Sequence, residues 1–299
     1  MANPVLSPID IEHFLVHGFV KVPQALDQEV IKKSVDLMWS RLGYDPKDSS
    51  TWIKDKIHMP SHHVFNVQEI APKAYQAICE LSGGEDRVKQ PKWDDSFIVN
   101  FHLGGDKPWV APSPKAEGWH KDGDWFLHFL DSPEQGLLTI VLWSDVQSKG
   151  GATFVAGDSV GPVARYLAQH PEGVNPNVGF ANGGFPHHQF IQECKDFQEA
   201  TGKAGDVFLL HPFLLHASSY NSLRLPRIIT NPCVLFNEPM IFNRPKWSDH
   251  SPVEQAILRA LGKKSYDFQP SVPRSMLVPD RIAQQAKLKA EEEARLAKK

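Results

Sequence analysis

The sequence contains few cysteines, and their placement argues against a scaffold held by disulfide bonds. Three occur among 299 residues, at Cys79, Cys194 and Cys233. Their number is odd, they lie far apart in the chain, and none belongs to a C-x-x-C motif. This pattern is typical of reduced thiols. We therefore expect a cytoplasmic protein.

A strong net charge and long apolar runs are also lacking. The formal net charge is -3 and the pI is about 6.5, so no overall basic field favours nucleic acid or an anionic membrane. No apolar segment approaches the roughly 20 residues that cross a bilayer, and no signal-peptide pattern is visible. We expect neither nucleic acid nor a membrane as a partner.

Length and composition fit one soluble domain. With 41% apolar and 22% charged residues, a chain of this length can bury a substantial core. We predict a single domain over residues 1–299, with its core at about 18–236 and a helical extension at about 249–299. In that extension a capping box at Ser251 predicts a helix, and residues 281–299, polar nearly all round, predict a solvated or frayed helix.

Caps and periodicity locate the elements of the amino-terminal part. Ser7 and Pro8 predict the start of a helix that ends at Gly18, and Asp27 predicts the start of another that ends at Gly43. A short strand is expected between them at 19–22, and a further helix at 71–81. Such helices commonly pack against the outer face of a sheet.

A histidine-rich patch follows at His58, His62 and His63. No carboxylate or thiol lies at a ligand-like spacing from these residues. The patch therefore favours an irregular connection with surface imidazoles over a second metal site, and it also suits a lid over a pocket.

The stretch that carries chemistry is His120-Lys121-Asp122. In an extended segment, side chains two residues apart leave the same face, so this imidazole and this carboxylate can bind one ion. A second imidazole, His216, ends an apolar run about a hundred residues later, and Arg227 follows eleven residues further on. Two histidines and one carboxylate can occupy one face of an octahedron and leave three positions free, as in non-haem Fe(II) oxygenases.

In this order, the H-x-D pair, the distant histidine and the trailing arginine closely resemble the phytanoyl-CoA dioxygenase family of Fe(II)/2-oxoglutarate oxygenases. The resemblance extends from Gly18 to about Phe236. It implies a mainly β fold with flanking helices, built on a double-stranded β-helix, the jelly roll that cupins also use. It also implies Fe(II), 2-oxoglutarate as co-substrate and O2, with ascorbate as an optional reductant.

The resemblance implies oxidation of a substrate C–H bond, with release of succinate and CO2 from 2-oxoglutarate. Asp122 fills the position that halogenating relatives leave open for chloride, which favours hydroxylation, or desaturation or ring formation. We expect the substrate to be a small, partly apolar metabolite, because aromatic residues lie near the predicted ligands. Trp125 and Phe126 are candidates for the pocket wall, although aromatic residues are more often part of a core.

The apolar run at 205–216 contains two histidines, His211 and His216. On one continuous strand their odd separation directs them to opposite faces, so only one can join the ligands. We choose His216, because its spacing to Arg227 and the Ala217-Ser218 that follows match the family pattern. The loop at 173–189 is expected to cover the substrate.

Several residues are candidates for holding 2-oxoglutarate. The planar fork of Arg227 suits the far carboxylate, Ser218 could donate to the same group, and Arg224 is the alternative cation. Thr139 is the only hydroxyl in an aliphatic strand at 136–145, which indicates either a co-substrate contact or simple β propensity.

Two further candidates share one face of a strand predicted at 95–103. Asn100 and His102 would either donate to a co-substrate carboxylate or satisfy each other and the backbone.

Three other functions compete with this hypothesis. A cupin-type metalloenzyme that does not use 2-oxoglutarate would keep the metal but give Arg227 no carboxylate to bind. A non-catalytic double-stranded β-helix binding module would keep the fold with an idle site. A zinc hydrolase could use the same ligands, but no separate general base is evident.

Overall fold

The computed structural model describes residues 3–297, so the two outermost residues at each end of the predicted domain lie outside it. The described chain contains eight α-helices: α1 (Pro8–His17), α2 (Gln28–Leu42), α3 (Val67–Ile70), α4 (Pro72–Ser82), α5 (Val160–Ala168), α6 (His187–Glu193), α7 (Pro252–Ala260) and α8 (Arg281–Leu296). None of these helices has the length and apolar character of a membrane span.

The same residues form twelve strands: β1 (Phe19–Val22), β2 (Lys56–His58), β3 (Val64–Asn66), β4 (Lys92–Asp94), β5 (Ile98–Asn100), β6 (Leu137–Leu142), β7 (Thr153–Ala156), β8 (Phe197–Ala200), β9 (Val207–Leu210), β10 (Leu215–Ser218), β11 (Arg227–Thr230) and β12 (Cys233–Val234). β3 and β4 pair in a small sheet of their own.

The chain crosses repeatedly between two antiparallel sheets. The large sheet has the order β1-β9-β6-β11-β5-β2, with β12 also paired to β6, and the smaller sheet has the order β10-β7-β8. A bridge from His120 to His216 adds a fourth segment beside β10. From β5 onward the chain visits the large sheet, the small one at His120, then β6, β7, β8, β9, β10 and β11. This path is a double-stranded β-helix, so the predicted fold class is confirmed.

The predicted caps are confirmed where the chain enters the fold. The Ser7 hydroxyl accepts from the Asp10 amide, and α1 ends at Gly18, whose φ of 68° suits a residue without a Cβ. Asp27 caps α2 through the amides of Glu29 and Val30, and that helix ends at Gly43. The helices α1 and α4 contact β1, and α7 packs against α1, α4 and α5. They therefore cover the outer side of the barrel.

Strand lengths differ from the prediction in two places. The predicted strand 95–103 is regular only at β5. The run 205–216 is not one strand, because a turn at His211-Pro212 separates β9 in the large sheet from β10 in the small sheet. Proline cannot donate to a strand ladder, which accounts for the break.

The carboxyl-terminal helix α8 is exposed over most of its surface, as predicted, but it is also anchored. The Glu292 carboxylate is buried against the Arg41 guanidinium, with Nε and Oε1 2.6 Å apart. Ahead of α8, the amide of Leu277 donates to the Trp125 carbonyl at 2.7 Å. Arg281 clasps the Asp124 carboxylate with distances of 2.5 and 2.6 Å. The extension is thus bound to the loop that follows the H-x-D pair.

Candidate metal centre

The two sheets bring the H-x-D pair beside the distant histidine. His120 and His216 exchange backbone hydrogen bonds of 3.0 and 2.9 Å, so His120 lies alongside β10. Residues paired in this way direct their side chains to one face of a sheet, and the two imidazole centroids are 4.4 Å apart. Both imidazoles line the space between the two sheets.

Asp122 completes the cluster. Its Oδ1 lies 3.4 Å from His120 Nε2, and its Oδ2 lies 3.5 Å from His216 Nε2. One ligand atom from each of the three side chains lies within 4.8 Å of the others. Two imidazole nitrogens and one carboxylate oxygen form a donor set that first-row divalent metals accept, so the three residues fit a metal site.

Local carbonyl groups fix which nitrogen each imidazole presents. Nδ1 of His120 lies 2.7 Å from the Gly118 carbonyl oxygen, and Nδ1 of His216 lies 3.3 Å from that of Leu214. A carbonyl can only accept, so Nδ1 carries the proton and donates in each case. The Nε2 lone pairs therefore face the centre, as metal ligands require.

The electrostatics of the cluster favour an ionised carboxylate. Burial by itself would raise the pKa of Asp122, but the neighbouring His216 and His120 outweigh it and hold that pKa well below its usual value. A carboxylate that stays ionised is ready to bind a cation near neutral pH.

The residue between the ligands, Lys121, is buried with no carboxylate partner in the part of the chain that the structure describes. Its Nζ lies 2.7 Å from His128 Nδ1, 3.1 Å from the Asp122 carbonyl and 3.3 Å from Gln135 Oε1. Burial is the main cause that lowers the pKa of Lys121, to about 7. Three acceptors for three ammonium hydrogens fix the turn after Asp122.

The cluster lines a cavity of about 170 Å³ between the two sheets. Apolar side chains form much of its wall: Ile98, Leu138, Ile140, Ala217 and Ile229. Arg227 and Lys56 also line it, together with Ser218. The cavity therefore holds a metal-ligand cluster and a cationic region within one small apolar space.

Arg227 is the buried cation of this cavity. It is 2% exposed, and its Nε donates to the Gly151 carbonyl at 2.8 Å. Its Nη1 has no hydrogen-bond partner, and no carboxylate among residues 3–297 lies within 4.0 Å of the guanidinium. Burial lowers the pKa of Arg227 to about 10, so it stays charged at neutral pH. A buried cation without a partner favours an anionic ligand.

Sequence reasoning missed four polar residues of the cavity, which are Lys56, His58, Thr153 and Asn231. Lys56 lies on β2 and donates to Ser218 Oγ at 2.8 Å. His58, assigned to a surface patch, lines the cavity two residues later, and burial is the first of the causes that lower its pKa to about 4. Asn231 donates from Nδ2 to Asp122 Oδ2 at 2.9 Å. The period-2 alternation of β2 was a usable signal for Lys56 and His58, but its pairing with β5 was not predictable.

Three predicted co-substrate contacts lie elsewhere. Thr139 alternates with Leu138 and Ile140, which line the cavity, so its side chain points away, and its Oγ1 donates to the Pro232 carbonyl at 2.6 Å. Asn100 is buried, and its Oδ1 accepts from the Leu103 amide at 3.0 Å.

His102 also lies outside the cavity. Its Nδ1 is 3.1 Å from Asp55 Oδ1. The interpretation that these polar groups satisfy the backbone or a neighbour therefore fits the structure better than the co-substrate interpretation.

The remaining candidates are also separate from the cavity lining. Phe126 is fully buried and stacks on His128 at 4.1 Å, and Trp125 packs on Phe126 at 5.3 Å, so both belong to packing beside the centre. Arg224 pairs with Asp106 on the surface. His211 is buried, with Nε2 3.2 Å from the Val253 carbonyl.

His62 and His63 each contact a carboxylate outside the cavity. His63 Nδ1 lies 3.0 Å from Asp95 Oδ2, and His62 Nε2 lies 3.4 Å from Glu292 Oε1. Within residues 3–297 the only group of three or more metal-ligating side chains found close enough to hold an ion is His120, Asp122 and His216. The patch at 58–63 therefore divides between the cavity, at His58, and an ion-pair network.

Fold and site together define a double-stranded β-helix protein with a candidate metal centre between its sheets. No protein-family profile matches the chain. No curated protein sequence matches it either.

Solved structures resemble it in fold. The non-haem alpha-ketoglutarate-dependent carbocyclase SnoK from nogalamycin biosynthesis is 13% identical, over 93% of this chain and 100% of that one, with a TM-score of 0.48. HygX from Streptomyces hygroscopicus, with nickel and 2-oxoglutarate bound, is 14% identical over 78% and 88% of the two chains, at a TM-score of 0.42. EctD from S. alaskensis, with 2-oxoglutarate and 5-hydroxyectoine, is 16% identical over 79% and 78%, at 0.41. At these values none of the three assigns a family, ligand or reaction to this chain.

Proposed function

We propose that the protein is an Fe(II)/2-oxoglutarate-dependent oxygenase of the phytanoyl-CoA dioxygenase family that oxidises, and foremost hydroxylates, a C–H bond of a small, partly apolar metabolite. The observation that carries the proposal is that one cavity is lined both by the His120, Asp122 and His216 cluster and by the buried Arg227, whose Nη1 has no hydrogen-bond partner. The metal ligands alone fit many reactions. A buried arginine in the same cavity favours those reactions that use an anionic co-substrate.

His120, Asp122 and His216 would hold the iron. A cation bound by two imidazoles and one carboxylate keeps three positions for other ligands. When bound, Fe(II) and 2-oxoglutarate would supply oxidation of a C–H bond by O2, with release of succinate and CO2. The protein's own residues bind the co-substrate, exclude water with apolar walls and leave one side of the centre open.

Arg227, Lys56 and Ser218 would hold the far carboxylate of 2-oxoglutarate. The guanidinium can donate two parallel hydrogen bonds to a carboxylate. Lys56 adds a second cation whose only side-chain partner in the described chain is Ser218. A dicarboxylic acid that reached from the metal to this region would balance both cations, which no residue of the cavity does now.

The size of the cavity supports different places for substrate and co-substrate. Its volume of about 170 Å³ is below the roughly 300 Å³ at which pockets for drug-sized ligands begin. It therefore suits a small acid, and the substrate must approach from the open side of the centre. The side chain of His120 is 46% exposed there, compared with 7% for His216.

The decisive experiment measures succinate formed from 2-oxoglutarate by the purified protein with Fe(II), ascorbate and air. We expect turnover by the wild type, and background levels from Asp122→Ala and His216→Ala, because the metal loses a ligand. His170→Ala is the matched control, since His170 pairs with Glu172 near the surface and should retain wild-type activity.

Anaerobic Fe(II) titration of the same four proteins separates binding from turnover. Equal succinate from the wild type and His216→Ala would contradict the proposal. Iron binding without any use of 2-oxoglutarate would favour a cupin-type metalloenzyme, and absence of iron binding would favour a binding module.

Product analysis then distinguishes the reaction. Hydroxylation adds one oxygen to the substrate mass, whereas desaturation or ring formation removes two hydrogens. Mass spectrometry of candidate metabolites incubated with the active protein reports which of these occurs.

A further inference from the structure

Asn231 contacts the carboxylate of the candidate metal centre and had no role in the sequence analysis. It lies in the bend between β11 and β12, lines the cavity, and donates from Nδ2 to Asp122 Oδ2 at 2.9 Å. An ionised carboxylate only accepts, so the amide must present its nitrogen to it. The orientation of the Asn231 side chain is thereby fixed.

The contact matters because both oxygens of Asp122 face the histidines. Oδ1 lies 3.4 Å from His120 Nε2, and Oδ2 lies 3.5 Å from His216 Nε2. A carboxylate placed so evenly could give one oxygen or both to a cation, since both modes occur in proteins. The hydrogen bond from Asn231 occupies Oδ2 and leaves Oδ1 as the oxygen that is free to bind the cation.

The bend that carries Asn231 is firmly held. The next residue, Pro232, has a fixed φ, and its carbonyl accepts from both the amide and the hydroxyl of Thr139, at 2.9 and 2.6 Å. Cys233 and Val234 then pair with β6. Thr139, which points away from the cavity, thus anchors the segment from which Asn231 reaches Asp122.

We propose that Asn231 is a positioning residue that restricts Asp122 to one-oxygen coordination of the bound cation. This inference rests on the proposed function, because one-oxygen coordination is what leaves three positions for a chelating co-substrate and dioxygen. Partners of metal ligands typically change metal affinity by 10- to 100-fold when removed. The effect of losing Asn231 belongs in that range.

The test is titration of the metal-free protein with Co(II), followed by the visible absorption of the bound ion, which reports its coordination number. Asn231→Leu keeps the side-chain volume and removes the donor, and Asn231→Ala is a second variant in case the first folds poorly. We expect the dissociation constant for Co(II) to rise about 10- to 100-fold, with a changed spectrum. Thr139→Val should change the dissociation constant and the spectrum in the same direction, but by a smaller amount.

The matched control is Asn237→Ala. Asn237 is exposed and donates to the Asp86 carbonyl at 2.8 Å, so its loss should leave Co(II) binding within about twofold of the wild type. Thermal unfolding of each metal-free protein separates a positioning role from a structural one. A merely structural Asn231 would lower the melting temperature and leave the spectrum of bound Co(II) unchanged.

The outcomes separate this inference from the proposed function. If the wild type binds Co(II) and both Asn231 variants match it in affinity or spectrum, the positioning role is wrong and the metal centre stands. If the wild type does not bind Co(II), both are wrong.

Discussion

Two arginines are equally buried in this protein, and their surroundings differ. Arg41 on α2 and Arg227 on β11 are each 2% exposed. Arg41 donates to Asp95 at 2.9 Å and to Glu292 at 2.6 Å. Arg227 meets only the Gly151 carbonyl, and no carboxylate within residues 3–297 reaches it. The chain therefore neutralises one buried cation from within and leaves the other for an anion from outside.

This difference in partners suggests that Arg41 serves the stability of the fold and that Arg227 serves ligand binding. A buried charge is costly unless it is paired. At Arg41 the fold itself supplies the pair, so we expect that residue to matter for folding. At Arg227 a bound ligand would supply it, so we expect that residue to matter for binding.

The largest effect is expected from Arg41→Met. Asp95 and Glu292 would lose their shared buried cation, and breaking such a pair costs about 3–5 kcal/mol. Urea denaturation should show this loss, while the KM for 2-oxoglutarate stays unchanged. Arg259→Met is the matched control, because its pair with Glu12 is exposed and should contribute at most about 1 kcal/mol. Equal losses from both variants would remove the contrast.

Arg227→Met should give the reverse result. The far carboxylate of 2-oxoglutarate would lose a desolvated partner, which costs about 2–5 kcal/mol and weakens binding by more than about 30-fold. The free energy of unfolding should stay constant or increase, since an unpaired buried charge is removed. Calorimetric titration with 2-oxoglutarate and denaturation of the free protein measure the two quantities. Strong destabilisation of the free protein would mean that Arg227 is structural.

Ligand-induced stabilisation sharpens the same contrast. With metal present, 2-oxoglutarate at a hundred times its Kd should stabilise the wild type by about 2.7 kcal/mol. Arg41→Met should gain the same increment from a lower starting point. Arg227→Met at that concentration should gain less than about 0.9 kcal/mol, because its affinity is expected to be more than about 30-fold weaker. Thermal unfolding with and without the acid checks this, and succinate in its place shows whether the keto group contributes.

The smallest effect concerns pH. Burial, followed by the charge of Arg227, lowers the pKa of Lys56 to about 8. Lys56 is therefore a cation below that pH and neutral above it, so affinity for the dianion should fall as pH rises through 8. A hydrogen bond to a charged group contributes about 1.5 kcal/mol, so the fall should be about tenfold. Titrations from pH 6.5 to about 9.5 with the wild type and Lys56→Met measure it. If the affinities of the wild type and Lys56→Met depend on pH in the same way, Lys56 does not bind the co-substrate as a cation.

Local chemistry made much of the fold predictable. Ser7, Asp27 and Ser251 cap helices where the sequence indicates, because capping depends on neighbours within three residues. The aliphatic strand β6 is recognisable from composition alone. The turn at His211-Pro212 was not foreseen as a crossing between sheets, since an apolar run contains no information on which sheet it joins.

The site also combines residues that could be predicted from the sequence with residues that could not. The cluster of His120, Asp122 and His216 was predicted because the order of these residues resembles a known family pattern, and the structure brings those side chains together. Lys56 and Asn231 reach the cavity through strand pairing and through the bend after β11, which are long-range features. The role of Thr139 stayed open between a co-substrate contact and β propensity, because a hydroxyl among aliphatic residues does not reveal which side of the strand faces inward.

The pair between Arg41 and Glu292 joins residues 251 positions apart. Closing so long a loop costs conformational entropy before the contact repays it. We therefore expect this contact to form after the rate-limiting step of folding. An interaction that is absent from the transition state stabilises the native state by slowing its unfolding. The anchoring of α8 is therefore expected to act as a kinetic latch: without Glu292 the chain would fold at nearly its normal rate and unfold much faster.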